Sequence, residues 1–305
     1  MITNAAMKRA IITGATGIVG TALVSELISH GVEVLAIDRK DAQRDNHLPK
    51  KSQVVQIYHD LEELESLSNE TGKQYDVLYH LGWKTIESDA RNDSFQLQQQ
   101  NIKHTLDAVR LAKRFGCKTF IGIGDQSEYG CIDASLGTTS ENQAERNYSL
   151  GKLWAGMMSR ELSHQLCMKY VWVRLSTIYG YNDNVNSMMM KLIVKLKNGE
   201  VPEIDGEKLY DFLFCEDAAK ALYLLWEKGH DGKVYFVGSG KARPLREYAE
   251  VIRNVINPEI SFDYSNGCTD KNKIMTIYTD ISAITMDTGW LPELSFENRI
   301  FQLLT

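Results

Sequence analysis

A tyrosine and a lysine four residues apart, Tyr148 and Lys152, open a helical stretch in the middle of the sequence. Residues with this spacing share one face of a helix, so both side chains can point into one site. A nearby ammonium favours the phenolate and is expected to lower the pKa of the phenol from about 10. Such a phenol can exchange a proton with a carbonyl or a hydroxyl group. The pattern is common by chance, and the alternative is a surface lysine beside a half-buried tyrosine.

A glycine-rich turn near the N-terminus is the second chemical feature. The segment Thr13–Gly20, with the sequence TGATGIVG, joins a predicted strand to a predicted helix. Gly14 permits a tight turn, Gly17 lets a pyrophosphate approach the backbone, and Gly20 lets the helix pack against the strand. The helix N-terminus offers free N–H groups and the positive end of its dipole. The turn therefore predicts a dinucleotide site.

Acidic residues follow the second and third predicted strands. Asp38 stands about 20 residues after the glycines, where a carboxylate can accept hydrogen bonds from ribose hydroxyls. Its charge opposes a 2′-phosphate and favours NAD over NADP. Arg39 is either a solvated surface charge or a partner for that phosphate, which leaves NADP open. Asp60 is either an acceptor for the adenine amino group or a cap for the following helix.

Strands and helices alternate through residues 1–180. Short β-branched runs predict strands at Ala10–Thr13, Val32–Ile37, Val54–Tyr58, Val77–Leu81, Thr119–Ile123 and Val171–Leu175. Helices are predicted at Ile18–Ser29, Leu61–Asn69, Ser94–Phe115 and Asn147–Gln165. This alternation requires crossover connections and a parallel sheet that is covered on both faces. The predicted fold class is α/β, a doubly wound parallel sheet (Rossmann) that binds the dinucleotide.

Residues 181–305 predict a smaller, mixed α/β C-terminal lobe that binds the substrate, and the chain can cross between the two parts. The predicted elements are helices at Ser187–Asn198, Glu216–Glu227 and Leu245–Val255, strands at Val234–Val237 and Ile260–Tyr264, and a closing stretch at Asp280–Leu304. We expect the ligand cleft to lie between the two parts.

Composition excludes several classes of protein. The 305 residues are 43% hydrophobic and 24% charged with a net charge of −6, which argues against a nucleic-acid partner. No apolar run reaches the ~18 residues of a membrane span. The N-terminus lacks a secretory pattern and the five cysteines are widely spaced, so we expect a cytoplasmic protein with reduced thiols. The histidines and cysteines form no zinc-binding pattern, and we expect no metal.

Together these motifs resemble the extended short-chain dehydrogenase/reductase family, which comprises nucleotide-sugar epimerases, dehydratases and 4-ketoreductases. The resemblance runs nearly from end to end. Its further marks are His80–Trp83 (HLGW), Asn101, Glu128–Gly130 (EYG), Arg174–Gly180 (RLSTIYG), Tyr210–Asp217 (YDFLFCED), Val237–Gly240 (VGSG) and Gly289–Pro292 (GWLP). These marks are specific for the family and much less specific for the reaction.

The resemblance implies a nicotinamide dinucleotide, a nucleotide-sugar substrate, a Tyr148 acid/base and a homodimer formed through the two long helices. The implied cofactor-binding residues are Gly14, Thr16, Gly17, Ile18, Gly20, Asp38, Arg39, Asp60, Leu81, Tyr148, Lys152 and Ser176. Lys84, Gln126 and Tyr210 are the candidates for substrate binding. Trp83 and Lys84 line the sugar pocket or lie on the surface, Tyr210 stacks on the ligand or packs in the core, and His80 is structural or carries a proton.

One position departs from the family pattern. A Ser or Thr normally stands four residues before the tyrosine of the EYG motif, and here that position is Asp125. The segment Gly124–Gly130 (GDQSEYG) otherwise resembles the abequose-synthase-like branch of sugar reductases. An ionised carboxylate there would raise the pKa of Tyr148. Three interpretations are open. Asp125 accepts a hydrogen bond from a substrate alcohol, or Ser127 supplies the missing hydroxyl, or the activity of the protein is reduced.

The leading interpretation is a nicotinamide-dependent 4-ketoreductase that acts at C4 of a nucleotide-linked sugar. Dehydratases of the family carry an Asp–Glu pair where this chain has Gln126 and Ser127, so it lacks the acid and base for elimination. The alternatives are a 4-epimerase, which runs the same half-reaction twice, and a non-catalytic dinucleotide-binding protein. The nucleotide, the sugar and the direction stay open.

Overall fold

The computed structural model describes residues 6–39, 47–85, 94–129, 147–262, 264 and 279–305. Its strands are β1 (Arg9–Thr13), β2 (Glu33–Asp38), β3 (Val54–Tyr58), β4 (Val77–His80), β5 (Thr119–Asp125), β6 (Lys169–Leu175), β7 (Thr177–Tyr179), β8 (Leu209–Tyr210), β9 (Phe212–Phe214), β10 (Lys233–Val237) and β11 (Arg243–Pro244). Its helices are α1 (Ile18–Ser29), α2 (Phe95–Arg114), α3 (Asn147–Gln165), α4 (Met188–Lys197), α5 (Cys215–Lys228), α6 (Leu245–Ile256), α7 (Ser282–Thr288) and α8 (Phe296–Leu304).

Seven of these strands form one parallel sheet in the order β3-β2-β1-β4-β5-β6-β10. The strand order reverses between β1 and β4. In doubly wound sheets, ligands bind in the crevice at the carboxyl ends of the strands beside such a reversal. The predicted doubly wound parallel sheet is confirmed, and its reversal lies beside the glycine-rich turn.

Neighbouring residues of each strand point to opposite faces of the sheet, and helices pack on both faces. Ile12 belongs to one buried cluster together with residues of α1 and α5, such as Leu23 and Leu222. Its neighbour Ile11 belongs to a second cluster, together with residues of α2 and α3 such as Ala108. The helices therefore form two layers, and both can present side chains to the carboxyl edge of the sheet.

The second part of the chain contributes to both the sheet and a separate lobe. Strand β10 pairs with β6 in parallel register from Lys233 to Val237, so it forms the outermost strand beyond β6. A third buried cluster, centred on Phe212, Tyr248 and Phe296, holds α4, α6 and α8 together. The division into residues 1–180 and 181–305 stays a prediction about domain organisation.

The helix predicted at Leu61–Asn69 is wrong, because only the short 3-10 turn Leu61–Glu63 forms. The Ser66 hydroxyl donates to the Glu63 carbonyl at 3.0 Å, and the Arg114 guanidinium donates to the Leu64 carbonyl at 2.7 Å. The Arg114 guanidinium therefore occupies a carbonyl that a continuing helix would need, whereas the Glu63 carbonyl still accepts the Leu67 amide at 3.1 Å.

The strand predicted at Ile260–Tyr264 is also not formed by its described residues, Ile260–Phe262 and Tyr264. Instead, Ile260 and Phe262 pack against the third buried cluster.

The described segments contain no candidate for a membrane-spanning helix or for a metal site. None of their helices combines the length and the apolar content that a bilayer crossing requires. The same segments hold no group of three His, Cys, Asp or Glu side chains that could bind a metal ion.

Candidate active site

The turn between β1 and α1 packs directly against the end of β4. Gly14 has a φ of +72°, and a Cβ atom there would lie 2.9 Å from the backbone nitrogen of Gly82. The Gly14 amide donates to the Ile37 carbonyl at 2.9 Å, and the Leu81 amide donates to the Thr13 carbonyl at 3.1 Å. Only glycine fits this position, which fixes the turn at the strand reversal.

The N-terminus of α1 is suited to an anion. Its N-cap residue is Gly17, which has no side chain to cap the helix, and the first turn contains no acidic residue. Ile18 begins the helix and Thr16 is buried in the turn before it. At Gly20 a Cβ atom would lie 2.4 Å from the Gly14 carbonyl oxygen. The backbone amides of this helix end can therefore meet a pyrophosphate.

Asp38 lies beside this turn at the carboxyl end of β2. Its side chain is buried, and Oδ1 accepts hydrogen bonds from the Thr16 amide at 3.1 Å and the Thr16 hydroxyl at 2.9 Å. These bonds fix a carboxylate next to the candidate pyrophosphate position. Arg39 follows as an exposed residue. Together with the α1 N-terminus, this arrangement fits an adenine dinucleotide.

Asp60 takes the position of a helix cap. It precedes the turn Leu61–Glu63, and its amide donates to Glu63 Oε2 at 3.3 Å. The structure thus places it where the capping interpretation expected, and a contact with adenine stays a prediction.

His80 ties three elements together rather than facing outward as a proton carrier. Its Nδ1 lies 2.8 Å from the Thr13 hydroxyl and its Nε2 lies 3.3 Å from the Thr105 hydroxyl. Burial, reinforced by the Lys152 and His104 charges, lowers the pKa of His80 to about 3. The ring is neutral near pH 7, and its bonds join β1, β4 and α2.

Helix α3 places Tyr148 and Lys152 in one site, at the carboxyl end of β5. The buried Lys152 ammonium donates to the Ile123 carbonyl at 3.0 Å and lies 3.8 Å from the centre of the Trp83 ring. The ring of Trp83 meets that of Tyr148 edge-on, with 6.3 Å between ring centres.

The expectation that Lys152 lowers the pKa of Tyr148 is wrong in the structure. Burial raises the pKa of Tyr148 well above its usual value, and the carboxylates of Asp125 and Glu128 raise it further. Burial also lowers the pKa of Lys152 to about 8, against the opposing effect of the same carboxylates. Desolvation disfavours the phenolate, so the phenol stays protonated at neutral pH. The predicted direction of the Asp125 effect is confirmed.

The turn after β5 carries three candidate residues. Asp125 Oδ1 accepts a hydrogen bond from the Ser127 amide at 2.8 Å, and Gln126 Nε2 donates to the Thr177 hydroxyl at 3.3 Å. The Ser127 hydroxyl and Gln126 Oε1 are buried atoms without a hydrogen-bond partner among the described residues. Both atoms could therefore bond to a substrate hydroxyl.

A buried ion pair between Glu128 and Arg174, to which the sequence pattern gave no role, lies beneath this turn. The carboxylate of Glu128 is fully buried and accepts hydrogen bonds from the Asp125 amide at 2.8 Å and the Arg174 Nε at 2.8 Å. The Trp172 indole donates to Glu128 Oε2 at 3.1 Å. These bonds fix the backbone that carries Asp125. The signal was an arginine within an apolar parallel strand, which requires a buried acidic partner.

The remaining candidates lie on other elements. Asn101 fixes Lys84 by bonds to its amide at 2.8 Å and its carbonyl at 2.9 Å, and the Lys84 ammonium pairs with Glu62. The amide of Ser176, which follows β6, donates to the Val237 carbonyl at 3.0 Å. Tyr210 stacks on Phe212 in the second lobe, with ring centres 5.4 Å apart. Gly130 of the EYG motif lies outside the described residues.

A cavity of about 430 Å³ opens in the second lobe. Its lining includes the apolar side chains of Met189, Leu192, Phe212 and Tyr248 and the basic residues Lys191 and Lys195. An apolar wall with cations could receive a planar base and phosphate groups.

Comparisons with known proteins agree with this geometry. Residues 10–238 match the model of the NAD dependent epimerase/dehydratase family. The chain is 23% identical over 306 residues to CDP-abequose synthase of Salmonella muenchen, covering 98% of this chain and 97% of that protein. It is also 23% identical over 310 residues to dTDP-4-dehydro-6-deoxyglucose reductase of Escherichia coli, covering 96% of each.

The fold also matches solved structures. One is the UDP-N-acetylglucosamine 4-epimerase from Methanobrevibacter ruminantium M1 in complex with UDP-N-acetylmuramic acid, with a TM-score of 0.85. The identity is 24%, and the match covers 98% of both chains. At this identity the likeness supports the fold.

Replacing Arg174 by Met should lower the free energy of unfolding by about 3–5 kcal/mol, because Glu128 would remain buried without its cation. Urea denaturation of the purified variant measures this loss. Arg246→Met is the control, since the ion pair of Arg246 with Glu207 is exposed on both sides and should cost at most about 1 kcal/mol. Equal, small losses in the two variants would contradict a structural role for the buried pair.

Proposed function

The chain belongs to the NAD dependent epimerase/dehydratase family, and we propose that within it the protein is a 4-ketoreductase of a nucleotide-linked sugar. It is an enzyme of the extended short-chain dehydrogenase/reductase type, and the family's cofactor is NAD. The observation that carries the proposed reaction is the half-buried phenol of Tyr148, which contacts the same Trp83 ring as the Lys152 ammonium.

Residues at the strand reversal would hold the cofactor. The amides at the α1 N-terminus would bind its pyrophosphate, and Asp38 would accept hydrogen bonds from ribose hydroxyls. Tyr148 and Lys152 would face the nicotinamide ribose. When bound, NAD carries the hydride that is exchanged with the sugar carbon.

The protonated phenol of Tyr148 can act as the acid that ketone reduction needs. Reduction of a ketone requires a proton donor at the carbonyl oxygen, whereas oxidation of an alcohol requires a base. Burial and the carboxylates of Asp125 and Glu128 raise the pKa of Tyr148, so the phenol holds its proton at neutral pH. The likeness to dTDP-4-dehydro-6-deoxyglucose reductase also supports reduction, whereas a 4-epimerase must carry out the transfer in both directions.

Lys152 and Asp125 would complete the proton transfer. With a pKa of about 8, Lys152 is mostly charged at neutral pH and can stabilise the phenolate that forms when Tyr148 gives up its proton. Asp125 would accept a hydrogen bond from a substrate hydroxyl and orient the sugar. Ser127 and Gln126 offer further polar atoms in the same turn.

The nucleotide of the substrate would bind in the cavity of the second lobe, where Lys191 and Lys195 provide positive charge. The names of the two curated relatives contain CDP and dTDP, which supports a nucleoside diphosphate as the carrier. The cytoplasmic location and the homodimer stay predictions. Exposed apolar residues of α3, namely Trp154, Met157 and Met158, support pairing through the long helices.

The proposed reaction predicts one cofactor oxidised for each product formed. Purified protein is incubated with NADH or NADPH and a panel of nucleotide-linked 4-ketosugars, and the products are measured by mass spectrometry. Tyr148→Phe should lower turnover by about 10²–10⁴-fold, the usual contribution of a general acid. Tyr181→Phe, at an exposed tyrosine, is the control and should retain turnover.

Two results would contradict the ketoreductase. Conversion of nucleotide-sugars without net cofactor oxidation would identify a 4-epimerase. Cofactor binding without turnover of any sugar in the panel would favour the non-catalytic alternative.

Asp125→Asn should ease deprotonation of Tyr148, because it removes a negative charge that raises the pKa of the phenol. The rate of alcohol oxidation rises with pH as the phenol loses its proton, and this rise should shift to lower pH by about one unit. Steady-state kinetics of the reverse reaction measures this shift, and Ser127→Ala should leave the rise in place. If Asp125→Asn leaves both turnover and the pH profile unchanged, the role assigned to Asp125 fails.

Asp38→Asn should weaken NAD binding by about 10-fold or more, because hydrogen bonds to a charged acceptor are worth about 1.5–3 kcal/mol. The preference for NAD over NADP should also narrow as the repulsion of the 2′-phosphate disappears. Calorimetric titration with each cofactor measures both effects. Arg39→Ala separates the two interpretations of Arg39. If the guanidinium binds the 2′-phosphate, the variant weakens NADP binding and leaves NAD binding unchanged, whereas loss of a solvated surface charge changes neither. An unchanged cofactor ratio in Asp38→Asn would contradict the assignment.

A further inference from the structure

Trp83 contacts both members of the candidate catalytic pair. The Lys152 ammonium lies 3.8 Å from the centre of the indole ring. The Tyr148 ring meets the indole at an interplanar angle of 79° with 6.3 Å between ring centres. One aromatic side chain from the loop after β4 therefore touches two residues of α3.

The loop that carries Trp83 is itself fixed. Asn101 of α2 bonds to both the amide and the carbonyl of Lys84, the residue that follows Trp83. On the other side, the Gly82 amide donates to the Thr13 hydroxyl at 3.3 Å. Hydrogen bonds from two elements thus hold the backbone on either side of the indole.

We propose that Trp83 is a positioning residue, whose indole face holds the Lys152 ammonium in place and whose ring packs against Tyr148. The proposal rests on the proposed function for the catalytic role of Tyr148 and Lys152. The contacts of Trp83 with these two residues do not depend on that function. Nothing in the sequence pattern assigned this role, since Trp83 was a candidate for the sugar pocket or the surface.

The electrostatics of a buried ammonium explain why a ring is needed. Lys152 is only 6% exposed, so its ammonium has lost most of its hydration. One of its three N–H groups donates to the Ile123 carbonyl. The negative face of an indole attracts a cation more strongly than any other aromatic side chain, and the attraction grows when the cation is desolvated. The ring therefore compensates for part of the lost hydration.

Three titratable groups act on Lys152 or are acted on by it, and a fourth, Tyr148, contacts the same indole ring. They are Asp125 of β5, Glu128 of the following turn, His80 of β4 and Tyr148 of α3. His80 and Tyr148 are neutral near pH 7, whereas both carboxylates raise the pKa of Lys152. All four remain in a Trp83 variant, so a change in the titration of Lys152 reports on the indole.

The test measures the titration of Lys152 in the whole protein without substrate. Brief acetylation with acetic anhydride at a series of pH values, followed by mass spectrometry of the Lys152 peptide, gives the fraction of free amine. The wild-type midpoint should lie near pH 8, as expected from the pKa of about 8. Trp83→Leu should lower it by about half to one unit, which makes acetylation below the midpoint about 3- to 10-fold faster.

Two further variants sharpen the result. Trp83→Phe keeps an aromatic face and should shift the midpoint less than Trp83→Leu, and it serves as the test if the leucine variant does not fold. Trp226→Leu, at a partly buried tryptophan of α5, should leave the midpoint unchanged.

An unchanged or raised midpoint in the Trp83 variants would overturn the proposal, because the ring would then do no more than shield Lys152 from water. Turnover of nucleotide-sugars does not enter the measurement, so failure of the proposed reaction gives a different result from failure of this proposal. Where turnover is present, the reduction rate should fall at high pH as Lys152 loses its charge. In Trp83→Leu this fall should shift to lower pH by the same amount as the titration midpoint of Lys152.

Discussion

The Lys152 ammonium is buried between the Ile123 carbonyl, the Trp83 indole and the carboxylates of Asp125 and Glu128, and the candidate site depends on how this charge is balanced. A buried cation needs partners on several sides, because hydration no longer stabilises it. Those partners come from β5, the turn after it and the loop after β4. The cation thus links elements that are far apart in the sequence, and the protonated state of Tyr148 follows from the same low-dielectric surroundings.

Asp125 and Glu128 are close in sequence, and their environments separate their roles. Glu128 is fully buried and paired with Arg174, so its charge is used within the protein. Asp125 is less buried and uses one oxygen to order the Ser127 amide. Glu128 also accepts the Asp125 amide, so the buried pair fixes the backbone of the more accessible carboxylate. The proposed sugar contact of Asp125 therefore rests on a rigid support, as precise catalysis requires.

The second lobe is joined to the sheet by the return of the chain through β10. This strand pairs with β6, and the Ser176 amide beyond β6 bonds to the Val237 carbonyl at the end of β10. The buried Asp211 carboxylate then accepts the Ser239 amide at 2.7 Å and the Gly240 amide at 3.2 Å. These bonds connect the carboxyl edge of the sheet to the lobe that contains the 430 Å³ cavity.

The sequence by itself determined the features that local patterns encode. Period and composition identified the strands of the sheet, and the TGATGIVG turn with Asp38 indicated the candidate dinucleotide site, because both depend on neighbouring residues. Tyr148 and Lys152 were found for the same reason. The tertiary structure decided what depends on distant partners. It brought the Trp83 ring into contact with the Lys152 ammonium and paired Arg174 with Glu128. It also brought the Arg114 guanidinium to the Leu64 carbonyl, which the predicted helix would have needed. It also reversed the expected shift of the Tyr148 pKa, since desolvation depends on how many groups surround a side chain and not on the spacing that brings two of them together.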